Sequence, residues 1–295
     1  MQLLELHDWA DYELIDSGNY EKLERFGRYI LSRPEPQAVW NKTLPDSEWS
    51  RMSDAVFKKE KSSNSDNERG KWILKKGMPE QWFINYNYKG MKLRFRLGLT
   101  SFKHVGIFPE QCENWNFIYD TIKGFKRTDI SVLNLFAYTG GASVAAKSAG
   151  ADVTHVDSVK QVVTWSRENM EASGLENIRW VVEDVLKFCN REVKRGKKYN
   201  GIILDPPAYG RGPNGEKWIL EDNIAELMSL CRNLLSEQDS FLILNLYSMG
   251  FSSIIAENLI KDYFPEVKHC QYGELLIPDH SLKRLPLSVY ARFVK

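Results

Sequence analysis

The amino-acid sequence predicts an α/β protein, in which a small, mainly antiparallel β region precedes a larger and mostly parallel sheet covered by helices. Residues 1–100 hold short aromatic-rich or alternating runs separated by turn residues, which is typical of antiparallel strands. From about residue 109, strand-length apolar runs alternate with helix-length amphipathic stretches, and this pattern favours βαβ units. We therefore predict two domains, 1–108 and 109–295.

The first domain is expected to contain short strands at 72–74, 81–86 and 91–99. In the last of these, apolar and polar residues alternate, so Lys92, Arg94 and Arg96 share the predicted solvent face. Three aligned cations can engage phosphates at regular spacing, or they can discourage edge-to-edge aggregation of the strand. Residues 61–70 contain no apolar side chain and predict a hairpin tip or a mobile loop.

Charge is distributed unevenly, although the net formal charge is only +1. Residues 1–50 carry 5 Lys/Arg against 10 Asp/Glu, residues 51–108 carry 13 against 5, and the remaining 187 residues carry 22 against 24. A block of net charge +8 beside a near-neutral domain favours a polyanionic partner. A solvated basic face without a partner is the alternative.

The second domain is expected to alternate strands and helices along its length. In chain order we predict helix 114–123, strand 131–136, helix 141–149, strand 152–156, helix 159–173, strand 178–182, helix 185–195, strand 200–204, helix 221–235, strand 240–247 and helix 252–263. Two strand-like segments, 267–272 and 285–294, follow the last helix. The final strand can therefore insert antiparallel to its neighbours.

Composition indicates a globular protein of a reducing compartment. The four cysteines, Cys112, Cys189, Cys231 and Cys270, lie far apart and form no C-x-x-C pair, which argues against a zinc site or a disulfide framework. No apolar run reaches the roughly 18 residues that a membrane helix needs. The N-terminal residues are mixed and acidic rather than signal-like. We expect a cytoplasmic protein without a metal site, as a monomer or a homodimer.

The first predicted strand of the sheet ends in a glycine corner, Phe136 to Gly141, that lacks the G-x-G-x-x-G pattern. Its single pair, Gly140-Gly141, can bring the backbone close to a ligand, and the helix behind it offers free N–H groups and a partial positive charge. A carboxylate suits this corner better than a pyrophosphate. An ordinary tight turn between strand and helix is the alternative.

Two acidic corners follow at the ends of the next strands. Asp157 can accept both hydroxyls of a ribose, or it can cap the following helix. Glu183-Asp184 offers an acceptor for the exocyclic amine of an adenine. Asp184 can also be the N-cap of helix 185–195, and the two roles are compatible.

The fourth corner, Asp205-Pro206-Pro207-Ala208-Tyr209, is the most specific. Two prolines stiffen the backbone and remove two N–H donors, so the Asp205 carboxylate and free carbonyls can face a pocket as acceptors for the N–H groups of an amine. Tyr209 can stack on a base. A rigid turn without a role is the alternative. The loop 210–215 carries one cation and can act as a lid or a substrate clamp.

The series Asn134 to Gly141, Val156-Asp157, Glu183-Asp184-Val185 and Asp205-Pro206-Pro207 resembles the class I S-adenosylmethionine-dependent methyltransferases, and within them the large-subunit ribosomal RNA methyltransferases of types I and K. The resemblance covers about 104–295, including His104 to Gln111. It implies a Rossmann-like sheet of seven strands with a reversed last strand. It also implies S-adenosylmethionine as cofactor and ribosomal RNA as partner.

The resemblance assigns roles to individual residues. Phe136 to Gly140 would hold the methionine part, Asp157 the ribose, Asp184 the adenine and Asp205 the reacting end. The full predicted cofactor set is Asn134, Phe136, Ala137, Tyr138, Thr139, Gly140, Asp157, Ser158, Glu183, Asp184 and Asp205, and the predicted catalytic set is Asp205, Pro206, Pro207 and Tyr209. His155 lies in a buried-looking strand and is expected to be structural.

The sequence departs from type I enzymes at the acceptor site. Those enzymes make 5-methylcytosine through a cysteine thiolate, whereas Pro207 and Ser248-Met249 occupy the expected cysteine positions here. We therefore expect methylation of a nitrogen, by in-line displacement at the sulfonium methyl group. The N-terminal segment also does not match the RNA-binding domain typical of type I.

Three other functions stay open on the sequence alone. The substrate can be a protein or a small molecule, in which case the basic block is only a solvated face. The chain can keep the cofactor pocket as a binding module without catalysis. A nicotinamide oxidoreductase fits less well, because G-x-G-x-x-G is missing and the Asp-Pro-Pro corner is present.

Overall fold

A computed structural model of the chain describes residues 1–6, 8–60, 69–246 and 251–295. The predicted hairpin tip at 61–70 lies outside the described residues except for its last two positions, and so does Ser248-Met249. The first elements are β1 (Gln2–Glu5), β2 (Tyr12–Gly18), β3 (Glu21–Phe26), β4 (Tyr29–Pro34), α1 (Asp46–Met52), β5 (Ala55–Lys59), β6 (Gly70–Leu74), β7 (Gln81–Tyr88) and β8 (Met91–Gly98). In the described part of the chain, no helix is both long and apolar enough to cross a membrane.

Further strands and helices then follow to the end of the chain. They are α2 (Cys112–Gly124), β9 (Ser131–Leu135), α3 (Gly141–Ser148), β10 (Asp152–Asp157), α4 (Lys160–Ala172), β11 (Ile178–Val182), α5 (Val185–Lys194), β12 (Gly201–Leu204), β13 (Tyr209–Arg211), β14 (Lys217–Ile219), α6 (Leu220–Leu234), β15 (Phe241–Leu246), α7 (Ser253–Tyr263), β16 (Gln271–Pro278) and β17 (Arg284–Val294). These strands and helices alternate as predicted, except that an unpredicted pair of short strands, β13 and β14, follows β12, and that β16 and β17 follow each other. The ends of the elements predicted between 114 and 263 differ from the observed ends by at most two residues.

The large sheet contains eight strands among the described residues, in the order β1-β16-β17-β15-β12-β9-β10-β11. Strand β9 runs parallel to β10 and β12, β10 runs parallel to β11, and β12 runs parallel to β15. Strand β17 pairs antiparallel with β15. The predicted α/β class and the reversed last strand are confirmed.

The sheet therefore has one strand more than the seven that the resemblance implied. The additional strand is β1, from a segment that the sequence placed in the N-terminal domain, and it lies next to β16 at the sheet edge. The close approach of β1 to β16 depends on Gly273, because a Cβ at this position would lie 1.7 Å from the carbonyl oxygen of Gln2. This pairing joins residues about 270 apart in sequence, which no local pattern predicts.

The strand predicted at 267–272 is displaced in the structure, where β16 begins only at Gln271. Val267 belongs to a turn instead, and its amide N–H donates to the carbonyl of Phe264 at 3.0 Å. Its side chain packs against the core that covers one face of the large sheet. The apolar character of residue 267 thus reflects packing of a turn rather than a strand.

The central strands of the large sheet are apolar because both their faces are covered. Every residue of β12 and of β15 is buried, as expected for strands in the middle of a parallel sheet with helices on both sides. One core cluster includes Leu204, Leu244, Phe188 and Met228. Residues at or next to the ends of β9, β10 and β12 belong to this cluster, so close packing of the core holds these strand ends in place.

The N-terminal strands form a sheet of their own. Within the described residues its order is β2-β3-β4-β5-β6, antiparallel except for the pair β4 and β5, and β7 and β8 form a separate antiparallel hairpin. The alternation predicted in β8 is confirmed, because its apolar residues are buried whereas Lys92 and Arg94 are exposed and Arg96 is half-buried. This part also buries an ion pair, in which Arg33 Nε donates to Glu24 Oε2 at 2.6 Å.

The chain divides into two compact units, each of which it enters more than once. The large unit comprises Met1–Leu4, Gln111–Leu275 and Ser288–Lys295, and the small unit comprises Glu5–Glu110 and Leu276–Leu287. The domain boundary between residues 108 and 109 stays a prediction.

Candidate active site

The predicted corners follow neighbouring parallel strands of the large unit. Strands β12, β9, β10 and β11 are adjacent in this order. Their last residues are, in the same order, Leu204, Leu135, Asp157 and Val182. Because the carboxyl ends of parallel strands meet at one edge of a sheet, the four loops after them lie side by side at this edge, where open α/β sheets bind their ligands. The structure thus brings the predicted corners together.

The loop after β9 has an unusual backbone. Phe136, Tyr138 and Gly140 have φ angles of +54°, +47° and +84°, so every second residue of this corner lies in the left-handed region. For the two aromatic residues this conformation costs on the order of 1 kcal/mol or more each. Such strain persists only where the surroundings hold it, and it is concentrated at functional sites.

The glycine pair serves two different purposes. Gly140 needs its positive φ to enter α3, and a Cβ on it would approach Ser166 Cβ to 3.1 Å. Gly141 has no such φ, but a Cβ there would lie 2.6 Å from Cζ2 of Trp115 on α2. The second glycine therefore permits close packing of α3 on α2, a role that the sequence did not reveal.

A buried polar network supports the strained loop from below. Asn134 Nδ2 donates to Ser143 Oγ at 2.9 Å, and Ser143 Oγ lies 3.0 Å from Nδ1 of His155. Ser166 Oγ lies 3.4 Å from the other ring nitrogen and donates to the carbonyl of Tyr138 at 2.6 Å. The network thereby links β9, β10, α3 and α4 to the loop.

His155 is fully buried in this network, and burial lowers its pKa to about 3. The neutral ring can donate through one nitrogen and accept through the other, which suits a position between two hydroxyls. The structural role expected for His155 agrees with this position. Nearby, Asn169 Nδ2 donates to the carbonyl of Thr139 at 2.9 Å. Ser143, Ser166 and Asn169 were missed in the sequence, because single polar residues on helices carry no pattern.

Asp157 is held at the end of β10 by the loops on both sides of it. Its Oδ2 accepts from the backbone N–H of Tyr138 and its Oδ1 from that of Val159, both at 2.9 Å. Burial raises the pKa of this carboxyl above its usual value, and the amide donors oppose the rise. Each oxygen retains a lone pair that can accept a further hydroxyl. Ser158, the next residue, is half-buried.

The acidic pair after β11 is divided between two tasks. Asp184 is the N-cap of α5, and its Oδ1 accepts from the backbone N–H of Lys187 at 3.0 Å. Glu183 forms a two-pronged ion pair with Arg191 on the same helix, with N–O distances of 2.5 and 2.6 Å. The capping alternative for Asp184 is therefore confirmed. Adenine binding by either residue stays a prediction.

The Asp205 corner is more firmly tied than the sequence suggests. Trp218 Nε1 donates to the carbonyl of Pro207 at 2.7 Å, and the N–H of Leu220 donates to the carbonyl of Ala208 at 3.0 Å. The expectation of free carbonyls is thus wrong for these two positions. The donors come from β14 and from the first residue of α6. Asp205 is half-buried and Pro206 is buried.

Trp218 is the residue that joins the two loops of the site, and it was not singled out in the sequence. Its ring lies 4.7 Å from that of Phe136, centroid to centroid, and its side chain is 3 % exposed. The alternation in Lys217-Trp218-Ile219 was the available signal, because only the middle residue of this short strand is buried. Through Trp218, the glycine corner and the Asp205 corner become one structural unit.

The segment 210–215, expected to be a loop, belongs to a hairpin, in which its first two residues lie in β13 and the others lie in the turn. Strands β13 and β14 pair antiparallel, and the turn is closed by the N–H of Gly212, which donates to the carbonyl of Glu216 at 2.8 Å. Glu216 also forms an ion pair with Lys187 on α5 at 2.5 Å. Tyr209 is 51 % exposed at the base of this hairpin.

None of the four cysteines belongs to these corners. Cys189 and Cys231 are in the hydrophobic core, where burial raises the pKa of both thiols well above the usual range. Burial also raises the pKa of the Cys270 thiol to about 11, and Cys112 is buried at the first turn of α2. Among the described residues, no group of His, Cys, Asp and Glu is arranged to hold a metal ion.

Comparison with known proteins gives concordant results. Residues 54–262 match the model of a family described as S-adenosylmethionine-dependent methyltransferase. A crystal structure of a SAM-dependent methyltransferase from Agrobacterium tumefaciens is 37 % identical and superposes with a TM-score of 0.90, covering 100 % of this chain and 93 % of that one.

Two curated relatives are ribosomal RNA methyltransferases by name. The large subunit methyltransferase K/L of Shewanella frigidimarina is 31 % identical over 52 % of this chain. The large subunit methyltransferase I of Klebsiella pneumoniae is 34 % identical over 35 % of this chain. The matches span only 21 % and 24 % of the lengths of these two proteins.

Proposed function

Because this chain belongs to the S-adenosylmethionine-dependent methyltransferase family, we propose that it transfers the methyl group to a nitrogen of a base in ribosomal RNA. The observation that carries this proposal is the acceptor corner at the end of β12. There Asp205, Pro206 and Pro207 lie beside the glycine corner, which Trp218 ties to them, and Tyr209 is exposed.

The residues at the strand ends fit the cofactor. The N-terminus of α3 offers N–H groups for a carboxylate, and the strained corner of Phe136, Tyr138 and Gly140 places backbone next to it. Asp157 keeps lone pairs for ribose hydroxyls, while its bonds to Tyr138 and Val159 hold it in place. The cofactor supplies a methyl group on a sulfonium, a good leaving group, so the reaction is chiefly one of positioning.

Orientation of the acceptor falls to the Asp205 corner. A carboxylate at this position can accept the N–H of an amine and direct the nitrogen lone pair toward the methyl carbon. The buried Pro206 and the bond between Trp218 and the Pro207 carbonyl make the corner rigid. The exposed Tyr209 can stack on a base of the substrate RNA, since every base offers a π-face.

Nitrogen is favoured over carbon because the cysteine route has no nucleophile. Addition of a thiolate to the base requires a cysteine at the acceptor site with a lowered pKa. The Asp205 corner and residues 247–250 contain no cysteine, and burial raises the pKa of Cys189, Cys231 and Cys270.

RNA is favoured as substrate by the names of the curated relatives and by a basic strand of the small unit. Lys92 and Arg94 are exposed on β8, with Arg96 on the same face. Arg94 pairs across the hairpin with Asn85, and its guanidinium lies 4.7 Å from the ring centroid of the exposed Phe83. Cations interleaved with an aromatic ring are typical of nucleic-acid surfaces.

The test is incubation of the purified protein with radiolabelled S-adenosylmethionine and total RNA, in parallel with RNase-treated extract. We expect label in RNA, at one nucleotide, as an N-methylated base. Label only in the RNase-treated sample would assign the substrate to proteins or small molecules. Reversal of charge at Lys92, Arg94 and Arg96 should weaken RNA binding and reduce its salt dependence, with cofactor affinity unchanged.

A further inference from the structure

The hairpin of β13 and β14 has one buried and one exposed face. Side chains alternate across a strand, so Trp218 and Gly210 face one way while Tyr209, Arg211 and Lys217 face the other. Trp218 is 3 % exposed, whereas Tyr209, Arg211 and Lys217 are all exposed. One side of the hairpin therefore anchors it, and the other side is available to a partner.

Two cations face each other on the exposed side. Arg211 and Lys217 are directly opposed in the register of the two strands, and like charges in such pairs are destabilising. Neither side chain forms an ion pair or hydrogen bond with another described residue in the structure. The carboxylate nearest in sequence, Glu216, is already engaged by Lys187 and by the N–H of Asn214.

An exposed aromatic ring stands beside these cations. Tyr209 is two residues before Arg211 on the same strand and face, which places their Cα atoms roughly 6–7 Å apart. An aromatic ring next to cations on a strand is the combination with which proteins hold single-stranded nucleic acid, through stacking on bases and contacts with phosphates.

The hairpin is fixed to both sides of the candidate site. On one side, Trp218 donates a hydrogen bond to the carbonyl of Pro207 and packs against Phe136. On the other side, Glu216 forms an ion pair with Lys187, whose backbone N–H donates to the capping residue Asp184. Lys187 lowers the pKa of Glu216 to about 2, so this tether stays charged at neutral pH. The exposed face is thus held at a set position relative to the acceptor corner.

We propose that this hairpin is a clamp for the RNA strand on one side of the target nucleotide, in which Tyr209 stacks on a base and the pair of Arg211 and Lys217 holds backbone phosphate. The inference rests on the proposed function and adds to it a substrate-positioning surface. An anionic strand would also relieve the repulsion between the two cations.

The experiment compares the wild type with two charge-matched double variants and with two single variants of Tyr209. Arg211→Gln with Lys217→Gln removes the clamp cations. Lys194→Gln with Lys197→Gln is the control, because both of these lysines are exposed at the end of α5. Binding is measured with a 20-nucleotide single-stranded RNA over a series of salt concentrations, and methyl transfer is measured with purified ribosomal RNA.

We expect the clamp variant to raise the KM for ribosomal RNA about fivefold to thirtyfold, and kcat and cofactor affinity to change less than about twofold. The slope of log K against log salt should fall by about 1.4, since each lost phosphate contact on a single strand removes roughly 0.7. The control should match the wild type. Tyr209→Ala should weaken binding by roughly fivefold to a hundredfold, whereas Tyr209→Phe should retain it.

Two results would overturn the clamp while leaving the proposed function intact. One is a clamp variant with the KM and salt slope of the wild type, and the other is an equal loss in clamp and control variants, which would indicate a general field of positive charge. If the wild type itself labels no RNA, the proposed function fails, and the clamp fails with it.

Discussion

At the scale of single residues, the geometry of Asp157 suits the role in ribose binding that we propose for it. Both carboxylate oxygens accept a backbone N–H, one from the glycine corner and one from the start of α4. The side chain is thereby held still, and it keeps acceptor capacity for a ligand. The same bonds help to hold Tyr138 in its positive φ.

We predict that Asp157→Ala weakens binding of S-adenosylmethionine roughly 10- to 100-fold, the value of one or two charge-assisted hydrogen bonds. Isothermal titration calorimetry measures the affinity. Asp157→Asn, which keeps one acceptor oxygen, should lose less than Asp157→Ala. Unchanged affinity in Asp157→Ala would remove the ribose assignment.

At the scale of elements, the corner after β9 depends on helices α3 and α4 as much as on its own sequence. Ser143 and Ser166 reach His155 from these two helices, and Ser166 also holds the Tyr138 carbonyl. Because burial keeps His155 neutral, the network is sensitive to acid. At mildly acidic pH, His155 stays neutral in the folded protein but becomes protonated in the unfolded chain.

Burial lowers the pKa of His155 from an ordinary 6.5 to about 3. Between these two pH values the unfolded state binds more protons than the folded state does. The free energy of unfolding therefore decreases as the pH is lowered through this window. The loss is about 1.4 kcal/mol per pH unit for one such group. We expect the pH dependence of the free energy of unfolding between pH 4 and 6 to be shallower by about this amount in His155→Asn. Urea titrations at each pH measure it, and identical slopes in both proteins would contradict the prediction.

At the scale of the whole molecule, the large sheet is completed by a segment from the other end of the chain. Strand β1 pairs at the edge formed by β16, and the absence of a side chain at Gly273 permits the contact with Gln2. An edge strand presents unpaired N–H and C=O groups to other chains. Strand β1 covers that edge of β16.

We predict that Gly273→Ala displaces β1, because its Cβ would lie 1.7 Å from a backbone oxygen. The free energy of unfolding should fall by about 1–3 kcal/mol, as in other overpacked sites, and amide hydrogen exchange at residues 2–4 should accelerate. Gly124→Ala is the matched control, since a Cβ there meets nothing within 4 Å. Equal exchange rates in wild type and Gly273→Ala would show that β1 does not need the glycine.

The sequence by itself determined the elements whose signals are local. The pattern of apolar residues predicted every helix and strand between 114 and 263, apart from the short hairpin strands β13 and β14. This was possible because the buried faces of a helix or a strand determine which of its residues are apolar. Asp157, Asp184 and Asp205 could be predicted as site residues because each lies at or just after the end of a strand. The topology of parallel sheets gathers such ends at one edge.

Only the tertiary structure decided what depends on partners distant in sequence. It showed that Trp218 and Leu220 donate hydrogen bonds to the carbonyls of Pro207 and Ala208. It also showed that the missing side chain of Gly141 leaves room for the ring of Trp115. It also placed β1 beside β16 and opposed Arg211 to Lys217. The physical reason is the same throughout, because hydrogen bonds and close packing between segments are fixed only when the chain brings those segments together.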